Sequence, residues 1–359
     1  MFSSYGNEGW ENLFNSLSSL YLLSGFLNYF YLICLIVLLI HFKFLNKNYF
    51  IFLSLFCFTP FIFNYVLFSP SYMPDQFKYV EEIAKLKSGN LEAFDISSYE
   101  GIKRGRLYVA TYLFNFIPLI SYYGVHALAF ANKFLAIFLF IFLYSKIKIQ
   151  YLIWIFLLPS FILYTSVSLR DFLIIFISTF SLIWLIERKL IKSLILIVLI
   201  LPLKIQNFPS LVFVWLGVFI FRADRSIWLF ALLLFLSGII FFFFFEPIVN
   251  QLFFYKIAFI LESGVQLSDL ELELNILDST PGIIEFLKQA PFYIFSSFLR
   301  PFPLEISNPL IFVIFLENLF IVGLFALFLY RIWIQQPKFR LMLAILFVGL
   351  SISLFIHAY

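Results

Sequence analysis

The sequence predicts an all-α, polytopic integral membrane protein with about ten transmembrane helices, forming one domain over residues 1–359. Two observations predict it. First, 63% of the residues are hydrophobic and 12% charged, with a mean hydropathy of +1.01; a water-soluble globule of that composition would expose most of its apolar surface. Second, the charges are ordered. Five short basic loops, at Lys43/Lys47, Lys146/Lys148, Arg188/Lys189/Lys192, Arg222/Arg225 and Arg331/Lys338/Arg340, interrupt the apolar sequence at intervals of one or two crossings. Lys and Arg concentrate in short cytoplasmic loops, so all five are expected on the cytoplasmic side.

Apolar runs of roughly 17 to 22 residues place spans at 24–42, 49–68, 126–145, 150–167, 171–187, 191–206, 208–221, 226–245, 309–330 and 341–358. An even number puts both termini outside. The first twenty residues carry Glu8 and Glu11 but no Lys or Arg, unlike the positive start of a cleavable signal peptide. The runs at 171–187, 191–206 and 208–221 are short for a hydrocarbon core of ~30 Å, which points to an invagination. The polar, proline-containing break Lys204-Ile205-Gln206-Asn207-Phe208-Pro209 needs protein or a wet cavity beside it.

Two long outer segments separate the spans. Segment 69–125 carries six acids and six bases, too balanced for a disordered tail. Behind Pro74, the residues Phe77, Val80, Ile83, Ala84 and Leu86 recur at helical spacing, predicting a short amphipathic helix. Residues 107–121 read as an interfacial or re-entrant helix, because a crossing there would put Lys146 and Lys148 outside. Segment 246–308 has eight acids and three bases, and its apolar stretch 283–299 ends in a prolyl turn at Arg300-Pro301-Phe302-Pro303.

Several function classes drop out. The net charge of +4 is accounted for by topology, which leaves no case for a nucleic-acid partner. There is no phosphate-cradling glycine loop, nucleophile elbow or metal-ligand spacing. Cys34 and Cys57 sit in apolar runs as packing or lipid-facing residues, and His41, His126 and His357 lie at span ends as interfacial rings. The 54 Phe residues exceed what packing requires and point to a compositional bias.

With the basic loops assigned inward, Arg104, Arg106, Arg170, Lys204 and Arg300 are left on the outer face. Arg170 closes the turn Pro159-Ser160-Phe161-Ile162-Leu163-Tyr164-Thr165-Ser166-Val167-Ser168-Leu169-Arg170-Asp171, where Asp171 can complement the next helix N-terminus. A cation in an outer loop this tight runs against the topological rule and so needs a reason. Arg300-Pro301-Phe302-Pro303-Leu304-Glu305 is a second such element. Lys133, beside Asn132, and Glu317, beside Asn318, lie inside spans; such residues face a pathway or a partner, and a mutual ion pair would satisfy both.

The Pro-Ser-x4-Thr-Ser-x-Ser-Leu-Arg-Asp turn, the Pro74-Asp75-x3-Tyr79 start of the first outer segment and the Arg300–Glu305 element together resemble Wzy-type O-antigen or capsule repeat-unit polymerases and related GT-C membrane glycosyltransferases, over roughly residues 60–330. The resemblance implies a GT-C-like fold in a bacterial cytoplasmic membrane, with the active site facing outward. It implies inverting glycosyl transfer between undecaprenyl-diphosphate-linked oligosaccharides, donor and acceptor, among membrane lipids, with a chain-length regulator protein as a further partner. It also implies a basic outer segment after the last span, whereas this sequence ends at Tyr359.

On that basis Arg170, Arg300, Arg104 and Arg106, with Lys204 and Lys133, are candidates to hold the diphosphate leaving group. Asp75, then Glu305, are candidate bases for the acceptor hydroxyl, with Asp171 and Glu317 in support. Arginines can neutralise a diphosphate directly, so no cofactor and no metal are expected. Other GT-C transferases using polyprenyl-linked sugars, an O-antigen ligase, and a lipid-linked oligosaccharide flippase or transporter fit the same outer cations.

Overall fold

The computed structural model describes residues 7–67, 75–88, 99–122, 124–204, 207–222, 288 and 309–335, and every regular element among them is a helix. These are α1 (Asn7–His41), α2 (Phe50–Phe61) continuing as a π-helical stretch Ile62–Leu67, α3 (Asp75–Lys87), α4 (Tyr99–Asn115), α5 (Ala127–Tyr144), α6 (Ile149–Leu157), α7 (Pro159–Ser166), α8 (Asp171–Ile186), α9 (Leu190–Ile200), α10 (Phe208–Arg222) and α11 (Pro309–Gln335). By length and composition, Ser19–His41 and Ala127–Tyr144 can each cross a membrane, and the bent pair α6–α7 makes a third if taken as one span. Asp171–Ile186, Leu190–Ile200 and Phe315–Leu324 are apolar but shorter. The expected spans 226–245 and 341–358, the bases Arg225, Lys338 and Arg340, and His357 lie outside the described residues.

Three elements differ from the sequence expectation, each for a local reason. The run 150–167 is not one straight helix: α6 and α7 meet at 65°. Leu158, which precedes Pro159, is forced out of the helical region to φ −60°, ψ 128°, because the proline ring clashes with a helical predecessor. Pro159 then opens α7, where its missing N–H costs nothing. In α2, Pro60 cannot donate to the Phe56 carbonyl; the Thr59 hydroxyl donates to it instead at 2.9 Å. The helix at 107–121 begins earlier, at Tyr99. The Tyr122 hydroxyl closes its end by donating to the Phe114 carbonyl at 3.0 Å and to the Ile117 carbonyl.

The chain divides into two compact units, residues 1–183 with 199–204, and residues 184–198 with 205–359. In the first, α1, α2, α5, α6 and α7 pack together and α3 packs against α4. Phenylalanine is the packing material here. Phe140 meets Phe156 edge-on at 5.1 Å, Phe156 lies 4.6 Å from Phe161, and Phe161 meets Phe172 at 5.4 Å. The rings thus link α5, α6, α7 and α8, where dispersion and edge-to-face geometry add to area burial. Cys57 is buried and Cys34 exposed, both as free thiols, while His126 is buried just before α5 rather than lying at an exposed edge.

In the second unit, the Trp215 indole N–H donates to the Leu190 carbonyl at 3.1 Å, joining α10 to the start of α9. Glu317 is buried on α11.

Candidate functional site

Residues 167–170, between α7 and α8, are irregular backbone, and their polar groups are satisfied by amide and hydroxyl side chains from three surrounding helices. From α5, the Asn132 side-chain amide donates to the carbonyls of Val167 at 2.9 Å and Leu169 at 3.0 Å. From α2, the Asn64 amide donates to the Ser166 carbonyl at 2.8 Å, while the Thr59 and Ser166 hydroxyls lie 2.7 Å apart. From α3, the Gln76 carbonyl oxygen accepts the Ser168 N–H at 2.8 Å. The Ser168 hydroxyl in turn accepts the Ala129 N–H at 3.1 Å, capping the first turn of α5. Asn64, Gln76, Asn132, Ser166 and Ser168 are all buried. Non-helical backbone is tolerated at such depth because protein donors and acceptors replace the missing water.

That framework presents Arg170 and Asp171 at the mouth of the turn, both half-buried. Asp171 opens α8, where its carboxylate complements the helix N-terminus. Lys204 reaches the Asp171 carboxylate at 3.4 Å. Below them lies Tyr79 of α3, 5% exposed. It lies within the charges of Arg170, Asp171 and Asp75; burial holds this phenol well above the ordinary tyrosine range, so it stays neutral. Asp75 sits at the start of α3, largely exposed and 2.7 Å from Lys78, an ion pair too solvated to hold either group firmly.

The structure therefore brings together Asp75, Arg170, Asp171 and Lys204, which lie far apart in sequence. Arg104 and Arg106 belong to α4, which packs against α3. Lys133 is placed otherwise. It is fully buried, donating to the Thr165 hydroxyl at 2.7 Å and lying 3.6 Å from the Phe56 ring centre, so the partner it needs inside a span is a hydroxyl and a ring. Glu317 belongs to the other unit, and Arg300 and Glu305 lie outside the described residues.

Sequence reasoning missed Gln76 and Tyr79 as site residues. The apolar stripe expected on α3 included Ala84, which is exposed, whereas Gln76 and Tyr79 occupy the buried face beside Phe77 and Ile83. The available signal was their own spacing: two hydrogen-bonding side chains three residues apart share a helix face. Among the described residues no group of three His, Cys, Asp or Glu is placed to hold a metal ion. No known protein family matches this chain, and neither a curated protein nor a solved structure does.

Proposed function

We propose that this chain is a membrane glycosyltransferase that polymerises surface-polysaccharide repeat units, with about ten crossings and its site on the outer face. The observation that carries the proposal is the convergence of Asp75, Arg170 and Asp171 around one buried phenol, with Lys204 on Asp171. In the reaction, the acceptor sugar hydroxyl attacks the donor's anomeric carbon as the bond to the lipid diphosphate breaks. The Asp75 carboxylate takes the hydroxyl proton. Negative charge develops on the departing diphosphate, where the Arg170 guanidinium can donate to two oxygens through its fork and Lys204 adds a point charge. Lys204 is only loosely engaged by Asp171, so an incoming anion has a cation to recruit.

The test is genetic and biochemical. Deleting the gene should leave surface glycan bearing a single repeat unit, because other enzymes build and attach that unit. Arg170→Ala should reproduce the phenotype at normal protein abundance, with Arg170→Lys restoring it only in part. Complete loss of repeat units on deletion would instead indicate a flippase or an earlier transferase, and full complementation by Arg170→Ala would remove the arginine from the chemistry. Purified protein should extend lipid-linked units with a chelator present; a strict, reversible need for magnesium or manganese would overturn the metal-free mechanism.

A further inference from the structure

Gln76 and Tyr79 are three residues apart on α3 and so project from one face, less than a turn apart. Ser168 and Arg170 are two apart in non-helical backbone. Across that face the Ser168 N–H donates to Gln76 at 2.8 Å. Gln76 and Tyr79 are almost completely shielded, at 1% and 5% exposure, so no water competes for the Ser168 N–H. Asp75 immediately precedes Gln76 on the same helix. The contact that locates Arg170 therefore also locates the carboxylate.

We propose that Gln76 is a positioning residue, whose grip on the Ser168 backbone N–H sets the reach of the Arg170 guanidinium, two residues on, relative to the Asp75 carboxylate. This role rests on Arg170 being the diphosphate-binding group. The turn is also held from α5, through Asn132 on its carbonyls and Ala129 on the Ser168 hydroxyl. Releasing the α3 grip should therefore loosen Arg170 without unfolding the turn, which makes the role separable from stability.

The experiment uses the full chain in lipid nanodiscs, with farnesyl diphosphate as the binding probe and amide hydrogen exchange as an independent local readout. Gln76→Leu removes the acceptor oxygen, and Gln76→Glu retains one. Gln76→Leu should speed exchange in the peptide covering 164–171 and weaken farnesyl diphosphate binding by about tenfold, the size of one lost hydrogen bond. Exchange in α5 should not change, and Gln76→Glu should stay close to the parent.

Unchanged exchange in Gln76→Leu overturns the proposal. So does faster exchange with unchanged binding, provided that Arg170→Ala abolishes binding. If Arg170→Ala itself binds the probe like the parent, the diphosphate assignment is what fails, and the exchange data still show whether α3 holds the turn.

Discussion

The Asn132 side-chain amide lies 2.9 Å from the carbonyl of Val167, 35 residues away, and the same nitrogen donates to Leu169 at 3.0 Å. Its carbonyl oxygen has no hydrogen-bond partner among the described residues. Asn132 thus acts on the Arg170 turn as a donor only. Replacing it with Ala removes both bonds: the Val167 carbonyl keeps the Leu169 N–H at 2.9 Å, while the half-buried Leu169 carbonyl loses its donor, at a cost of about 1–2 kcal/mol. Asp should cost more than Ala, since it supplies only acceptors where a donor is needed. Thermal unfolding in detergent orders the variants, and Asp equal to or milder than Ala would contradict the donor role.

The legible parts of the fold were those set by local chemistry. Apolar runs marked where α5 and α8 would form, Pro74 marked the start of α3, and the hydroxyl-rich sequence before Arg170 marked a turn between helices. The bend at Leu158 was written in Pro159, yet hydropathy alone ran straight across it. What no local pattern could supply was the partner of each buried polar group. Gln76 meets Ser168 across 92 residues and Asn64 meets Ser166 across 102, pairings that exist only once the helices pack. For the same reason Lys133 read as a pathway residue, since nothing near it in sequence announces Thr165 or Phe56.

Lys133 offers a direct contrast between structural and functional burial. Thr165 also donates towards the Phe161 and Ile162 carbonyls, at 2.8 and 2.9 Å, so it keeps partners if the ammonium is removed. Lys133→Met fills the same volume without a charge to desolvate and should leave stability within about 1 kcal/mol of the parent or raise it. Lys133→Ala leaves a cavity and should cost about 2–4 kcal/mol. Lys133→Met should also retain farnesyl diphosphate binding; a stable Lys133→Met variant that no longer binds would return this lysine to the site.

Two basic residues end their helices in the left-handed conformation, Lys43 at φ 62° and Arg188 at φ 68°. The bonding around them is the same. Phe44 and Lys43 donate to Leu39 and Ile40 at 2.9 and 3.0 Å, and Lys189 and Arg188 to Trp184 and Leu185 at 2.8 and 3.1 Å, the paired closure that normally favours glycine. A side chain there carries a steric penalty, offset in part by a cation beside the helix carbonyls. Lys43→Gly should therefore stabilise the protein by about 1 kcal/mol, with Lys43→Asn in between. Chemical denaturation in mixed micelles would measure it, and a loss of stability would mean that the charge outweighs the backbone strain.

Tyr122 provides a pH test of the region between α4 and α5. Burial pushes its phenol from the ordinary 10.0 up to about 12, and its hydroxyl donates to the carbonyls at the end of α4, bonds that ionisation would abolish. A raised phenol pKa means that the folded state favours the neutral form. The stabilisation is fully present below pH 10, where the unfolded phenol is also neutral, and is lost as pH rises towards 12. Lys87 lies 3.7 Å above the Tyr122 ring, and partial desolvation pulls its ammonium below the ordinary lysine value, but Tyr122→Phe keeps the ring, so that contact is common to both proteins. The stability difference between the parent and Tyr122→Phe should then be constant up to pH 10 and narrow between pH 10 and 12. A difference that stays flat across that window would show that Tyr122 titrates as an ordinary exposed phenol and does not close the end of α4.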